Sequence, residues 1–236
     1  MRHTDSEHVV PWAPDITEPV MHSPLNLPAP RADGLPPHGL RERLAQAIMD
    51  LVAAVPETEQ PVSQSPIAAA RALARSASRK AAAISGGAAM APGPLGLLTL
   101  LPELIAVWRL QAQMVSDIAG SFGKTATLNR EQMMYCLFRH LLAQGLRDVV
   151  VRAGERYLVR SATARGLQKL ARLLGVNISQ RLAGKSLARY VPGAGAMLVA
   201  GYAYYDTARV ADTAIELFSA DIVMAGDDDV IDVIDV

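Results

Sequence analysis

The spacing of apolar positions changes several times along this chain, and each change marks an element. Leu40, Leu44, Ile48, Leu51 and Val55 recur every three or four residues, which lines one face of a first helix. A PVSQSP linker follows. From Ile67 to Ala89 alanine dominates, and Arg71, Arg75 and Arg79 recur at every fourth position, the pattern of a helix with a basic edge. The run MAPGPLGLLTLLPE, residues 90–103, then breaks the pattern. Pro92, Gly93 and Pro94 predict a turn with Pro94 opening the next helix, and Pro102 must kink or restart that helix before it runs on through ELIAVWRLQAQMVSDIAGSFG. Asn129 with Gln132 resembles a capping box opening a long helix over REQMMYCLFRHLLAQGLRDVVVRAGERYLV. Further helices are expected near 163–174, ended by Gly175, near 178–190, and from about 194 to 219. No pair of strands is evident. The expected fold is all-α, a helical bundle built from two Pro-Gly-turned hairpins.

A second apolar run, VPGAGAMLVAGYAYYD at 191–206, repeats the first at an offset of 100 residues. Pro92 and Gly93 correspond to Pro192 and Gly193, followed by Gly195, and Arg109 corresponds to Arg209. Paired hydrophobic segments broken by Pro and Gly are a pattern of membrane-dipping hairpins, and soluble helical hairpins share it. Energetics do not separate the two. Eight Leu, Ile and Val residues between Leu95 and Val107 favour bilayer insertion by about 2.4–4.8 kcal/mol together, and a central Glu103 opposes it by about 2.5–3.5 kcal/mol, with three prolines adding more. A clean span is therefore disfavoured, and a hairpin in the interface or a packed core remain. Ala196, Ala200, Ala203, Thr207, Ala211 and Ala214 form a stripe of small residues, suited to close helix packing in either solvent.

Composition changes the picture in two places. Of the 15 prolines, 11 precede residue 67, so residues 1–38 are expected to be a disordered Pro-rich segment, with 39–66 an amphipathic helix and linker, 67–219 the helical domain and 220–236 an acidic tail. The formal net charge of zero conceals three blocks. Residues 1–70 carry 4 basic and 9 acidic side chains, 71–210 carry 19 and 6, and 211–236 carry 0 and 8. A basic body predicts anionic partners. An anionic membrane surface or a membrane protein is favoured, with self-association open; nucleic acid is the rival, but no nucleic-acid-binding motif is evident. One cysteine, Cys136, allows no disulfide within the chain, and MRHTDSEHVVPW lacks a signal peptide's basic start and apolar run. A cytoplasmic setting at the inner face of the inner membrane is expected.

Candidate chemistry is sparse. Arg152, Arg156 and Arg160 at four-residue spacing, and Arg165, Lys169 and Arg172 further on, are expected to present two basic helical faces to anionic lipid. Glu103, Arg109, Asp206 and Arg209 flank the apolar runs, where they pair with one another or meet headgroups. Cys136 and His140 lie one turn apart, as a thiolate nucleophile and its base would, without an identifiable third residue or oxyanion donors. GSFGKT at 120–125 has two residues between its glycines where a phosphate-binding loop needs four, so a helix C-cap is the expected role. His3, His8, His22 and His38 lack metal-ligand spacing. No catalytic residue, metal, cofactor or small-molecule substrate is assigned, and the β-prone tail AGDDDVIDVIDV is expected to be solvated, to fold back over the basic helices or to add a strand to a partner's sheet edge.

Three long runs, PGPLGLLTLLPELIAVWRLQAQMVSDIAGSFGK, LNREQMMYCLFRHLLAQGLRDVVVRAGER and VPGAGAMLVAGYAYYDTARVADTAIELF, together resemble the EcsC family of bacterial proteins over about residues 70–219. The resemblance implies a helical, membrane-associated protein accessory to a transport or envelope process. It carries no established catalytic residues.

Overall fold

The computed structural model describes residues 38–89, 100–141, 150–153, 156–159, 162–185 and 194–224. The fold is all-α, with six helices and one small sheet among the described residues. Helix α1 is His38–Ala53, α2 Pro66–Ala88, α3 Leu100–Ser121, α4 Arg130–Phe138, α5 Ala164–Lys185 and α6 Ala194–Ser219. The predicted turns at Pro92–Pro94 and Pro192–Gly195 fall outside the described residues except for Ala194 and Gly195, which open α6, Gly195 being buried. The Pro-rich segment before His38 and the tail beyond Met224 also fall outside them.

Helices α2, α3 and α6 form the central unit. Helices α3 and α6 run parallel: Gln111 of α3 bonds Thr207 of α6 midway along, and just past their C-termini the Lys124 ammonium donates to the Ala220 carbonyl at 2.5 Å. Helix α2 runs against both. The residue preceding it by a few positions, Ser63, donates its N–H to the last carbonyl of α3, Ser121, at 3.0 Å, and near its far end Gly86 meets the first turns of α6. The small-residue stripe of α6 is what lets this happen. A Cβ on Gly86 would stand 3.1 Å from Ala200 Cβ, and Ala196, Ala203, Thr207, Ala211 and Ala214 are all buried. Pro66 opens α2 at N1, where its missing N–H has no helical partner to lose. Pro102 sits in the first turn of α3, where it too has no helical partner to lose, and the segment before Leu100, from which it would kink or restart a helix, lies outside the described residues.

Helix α1 buries Leu44 and Ile48 of the expected stripe together with Val52, leaves Leu40 and Leu51 half-buried, ends before Val55, and packs against α5. Gly175 does not end a helix. It lies inside a continuous α5, where a Cβ would stand 2.9 Å from the Arg41 carbonyl oxygen, so glycine serves close helix contact rather than termination.

The long helix expected from Arg130 stops at Phe138. Val150–Ala153 and Arg156–Val159 instead form antiparallel strands β1 and β2, with Arg152 paired to Tyr157. β-Branched and aromatic residues suit a half-buried pleated surface better than a helix, and Tyr157 and Val159 take their places in the core. Arg152 and Arg156 therefore lie on two different strands, not on one helical face, and Arg160 is outside the described residues. Asp221–Met224 forms β3, parallel to β2 and in the order β1-β2-β3, while the run AGDDDVIDVIDV that follows it lies outside the described residues.

Candidate lipid-facing end and buried polar junctions

The directions of α2, α3 and α6 bring the C-terminus of α2 and the N-termini of α3 and α6 to one end of the central unit. That end is unusual in what it exposes. Of nine large hydrophobic side chains exposed among the described residues, five lie on 197–205 of α6: Met197 at 78%, Leu198 at 68%, Tyr202, Tyr204 and Tyr205. Ile84 of α2 is exposed at the same end, beside a fully accessible Gly87. Single exposed apolar residues need no explanation, but a cluster of this kind does. One turn further from the end, Arg79 and Lys80 are exposed on α2, followed by Arg75 and Arg71. On α6 the exposed Arg209 lies 5.7 Å above the Tyr205 ring, within cation–π range. Glu103 is half-buried in the first turn of α3, where a helix N-terminus favours a carboxylate.

Behind this face two part-buried polar junctions tie helices together. Asp206 accepts from Gln111 Nε2 at 2.9 Å through one oxygen and meets His140 Nε2 at 2.8 Å through the other, while Gln111 also donates to Thr207 at 3.1 Å. Asp206 thus turns inward. The Nδ1 of His140 is buried without a hydrogen-bond partner among the described residues. Two and a half turns along α6, Glu216 accepts from Arg139 at 2.6 Å and from the Tyr157 hydroxyl at 2.6 Å, and the Arg139 guanidinium lies 5.3 Å over the Tyr135 ring. Burial works against the charge on Arg139, but the hydrogen bond to Glu216 and the nearby acidic groups more than offset it and raise its pKa. This junction fastens β2 and the end of α4 to α6.

Cys136 lies on α4 and His140 two residues past its end, and their surroundings do not suit a thiolate–imidazole pair. Burial pushes the Cys136 thiol far above its ordinary range, against a smaller lowering by Arg139, and the His140 imidazole is bound to Asp206. A nucleophilic cysteine needs the opposite shift. GSFGKT ends a helix, as expected: Gly123 takes φ +69°, and the Lys124 N–H returns to the Ala119 carbonyl at 2.9 Å. On α5, Arg165 and Arg172 are exposed and Lys169 is half-buried. Arg172 lines an open groove of 760 Å³ between α1 and α5, with Arg41, Asp50 and Gln168. Arg109 is exposed on α3, beside Trp108.

Sequence reasoning treated 191–206 as one apolar run and did not single out Tyr202, Tyr204 and Tyr205. A helical projection about the small-residue stripe would have put them on the opposite face. The α2 arginines were recognised as a basic edge but not joined to that face, because the antiparallel register of α2 and α6 is tertiary. Gln111, Tyr157 and Glu216 carried no local signal. No helix among the described residues is long and apolar enough to cross a membrane. No protein-family model, curated protein or solved structure matches the chain.

Proposed function

We propose that this chain is a non-enzymatic, membrane-associated helical protein that binds an anionic lipid surface. The observation that carries the reading is the cluster of Met197, Leu198 and three tyrosines exposed beside the cationic edge of α2. Apolar burial combined with attraction to anionic headgroups is how interfacial helices hold a bilayer. The resemblance to the EcsC family points the same way, and a role accessory to transport or the envelope at the cytoplasmic face follows from it. The basic residues on this reading are those of α2, while Arg165 and Arg172 are exposed on α5, away from the apolar cluster.

The test is co-sedimentation of the full chain with phosphatidylcholine vesicles, with and without phosphatidylserine, at low and high salt. Binding that requires phosphatidylserine and weakens with salt is expected. Equal absence from both pellets at low salt refutes the reading. A soluble helical interaction module is the second reading, and it draws on α3, whose Val107, Trp108, Met114, Val115 and Ile118 are buried in the core. A protein that stays in the supernatant while unfolding cooperatively without detergent favours it.

A further inference from the structure

We infer that the protein docks on the anionic bilayer end-on, entering by the end of α2 and α6 that carries Ile84, Met197 and Leu198, with the tyrosines at headgroup level and the α2 arginines on the phosphates. This rests on the lipid-surface reading and adds the surface, its orientation and its depth.

The register of the two helices orders the exposed side chains into layers. Gly86 lies against Ala200 and Ala196, and Ala81 packs with Ala203, so the antiparallel helices place Arg79 about level with Tyr205 and Arg75 about level with Arg209. Moving inward from the end, Met197, Leu198, Ile84 and Gly87 come first. Tyr202, Tyr204 and Tyr205 come next, level with Lys80 and Arg79, and Arg75 and Arg209 form the third layer. Apolar, aromatic, then cationic is the order a protein meets on leaving a bilayer: acyl boundary, interface, headgroup phosphates.

The dimensions agree. At 1.5 Å per residue, Met197 lies about 10 Å beyond Tyr204 along α6, comparable with the roughly 5–10 Å to which interfacial helices bury their apolar side chains. Charge commits the occupant to an anionic surface. The exposed positions flanking the cluster on the two helices hold Arg71, Arg75, Arg79, Lys80 and Arg209 against one acid, Asp212, while Asp206 is engaged by Gln111 and His140. A flat orientation on α5 would also meet lipid with arginines, but α5 adds only Leu173 as a large exposed hydrophobic among the described residues. Charge without apolar area gives adhesion but no depth.

The experiment places an environment-sensitive fluorophore on single introduced cysteines in the full chain, Leu198→Cys at the end and Arg165→Cys on α5. Cys136 is buried and stays unlabelled. With phosphatidylserine vesicles the label at 198 should shift to the blue and be quenched by brominated lipid, and the label at 165 should not change. Vesicle binding with the response at 165 and none at 198 overturns the end-on orientation and leaves the lipid reading intact; no binding of the unmodified chain overturns both. A blue shift at 198 that grows with protein concentration and needs no vesicles assigns the face to a second copy and overturns the proposal. The double variant Arg75→Glu, Arg79→Glu changes only exposed side chains, and it should weaken vesicle binding by at least about tenfold with an unchanged helical circular dichroism spectrum. Unchanged binding by that folded variant overturns the cationic layer.

Discussion

The same substitution should have opposite effects at two glycines of this bundle. At Gly175, in α5, an added Cβ would stand 2.9 Å from the Arg41 carbonyl oxygen of α1, against an ordinary contact of 3.4 Å or more. The obstacle is backbone and cannot rotate aside, so α1 and α5 must separate by about half an ångström. Overpacking of this kind costs about 1–3 kcal/mol. Against that, alanine gains about 1 kcal/mol over glycine in a helix interior. Gly201, in α6, has nothing within 4 Å of the same Cβ, so there only the gain applies. The two alanine variants should therefore differ by about 1–3 kcal/mol, or about 2–12 °C in Tm for a chain of this size. Gly175→Ala should fall at or below the parent, and Gly201→Ala above it. Differential scanning calorimetry of the three proteins reads this directly. A Gly175→Ala variant as stable as Gly201→Ala would refute close approach of α1 and α5 as the reason for that glycine.

Two further outcomes follow from the Glu216 junction and the buried thiol. Tyr157→Phe removes a charge-assisted bond to Glu216 and should destabilise the chain by about 1–3 kcal/mol in urea unfolding, with early loss of hydrogen-exchange protection in β1 and β2; an unchanged midpoint would mean that the sheet is held without it. Cys136 has its folded pKa raised above its ordinary value of 9.0, so its stabilising contribution is complete below that pH and is lost as the unfolded-state thiol ionises above it. Stability should fall by up to about 1.4 kcal/mol per pH unit above pH 9.0 from this group alone, and urea midpoints of Cys136→Ala should show a slope smaller by one proton. In native protein the thiol should react with a thiol reagent no faster than the chain opens, and prompt labelling would place Cys136 outside the core.

Local signals read helices well wherever periodicity, caps and prolines agreed. The stripe of α1, the alanine-rich α2, the Asn129 cap, whose side chain accepts from Gln132 N–H at 2.9 Å, and the span of α6 all rest on contacts within a few residues. The capping box is only half made, since the Gln132 amide is buried without a partner among the described residues. The misreadings have one cause, that the deciding partner is distant in sequence. Gly175 looks like a stop until α1 is laid beside it. VVVRA and RYLV extend a helical arginine spacing until Tyr157 finds Glu216 on α6, and the strand at Asp221–Met224 completes the sheet. Arginine periodicity at every fourth residue marks a helical face only where the backbone is a helix.

In the two copies of the repeat, matching positions past the apolar runs are core, Val107 with Thr207 and Gln111 with Ala211, and residues 90–99 of the first run lie outside the described ones. Helix α3 has neighbours on opposite sides. It packs on α2 and α6 and also on α1 and α4, with Trp108 edge-on to Phe138 at 5.5 Å, and the linker crosses it, with Gln113 donating to the Glu57 carbonyl at 3.0 Å and Thr58 to Asp117 at 2.7 Å. Val107, Trp108, Ala112 and Val115 are accordingly buried. The first three turns of α6 lean on α2 and α3 through their small residues alone, and no described element covers the other side. A stripe of alanines lets the backbones close up, but it leaves the large side chains, Met197, Leu198 and the tyrosines, facing outward. In the second copy the large side chains of 197–205 thus face outward beside arginines, over a stripe of alanines that closes on α2 and α3.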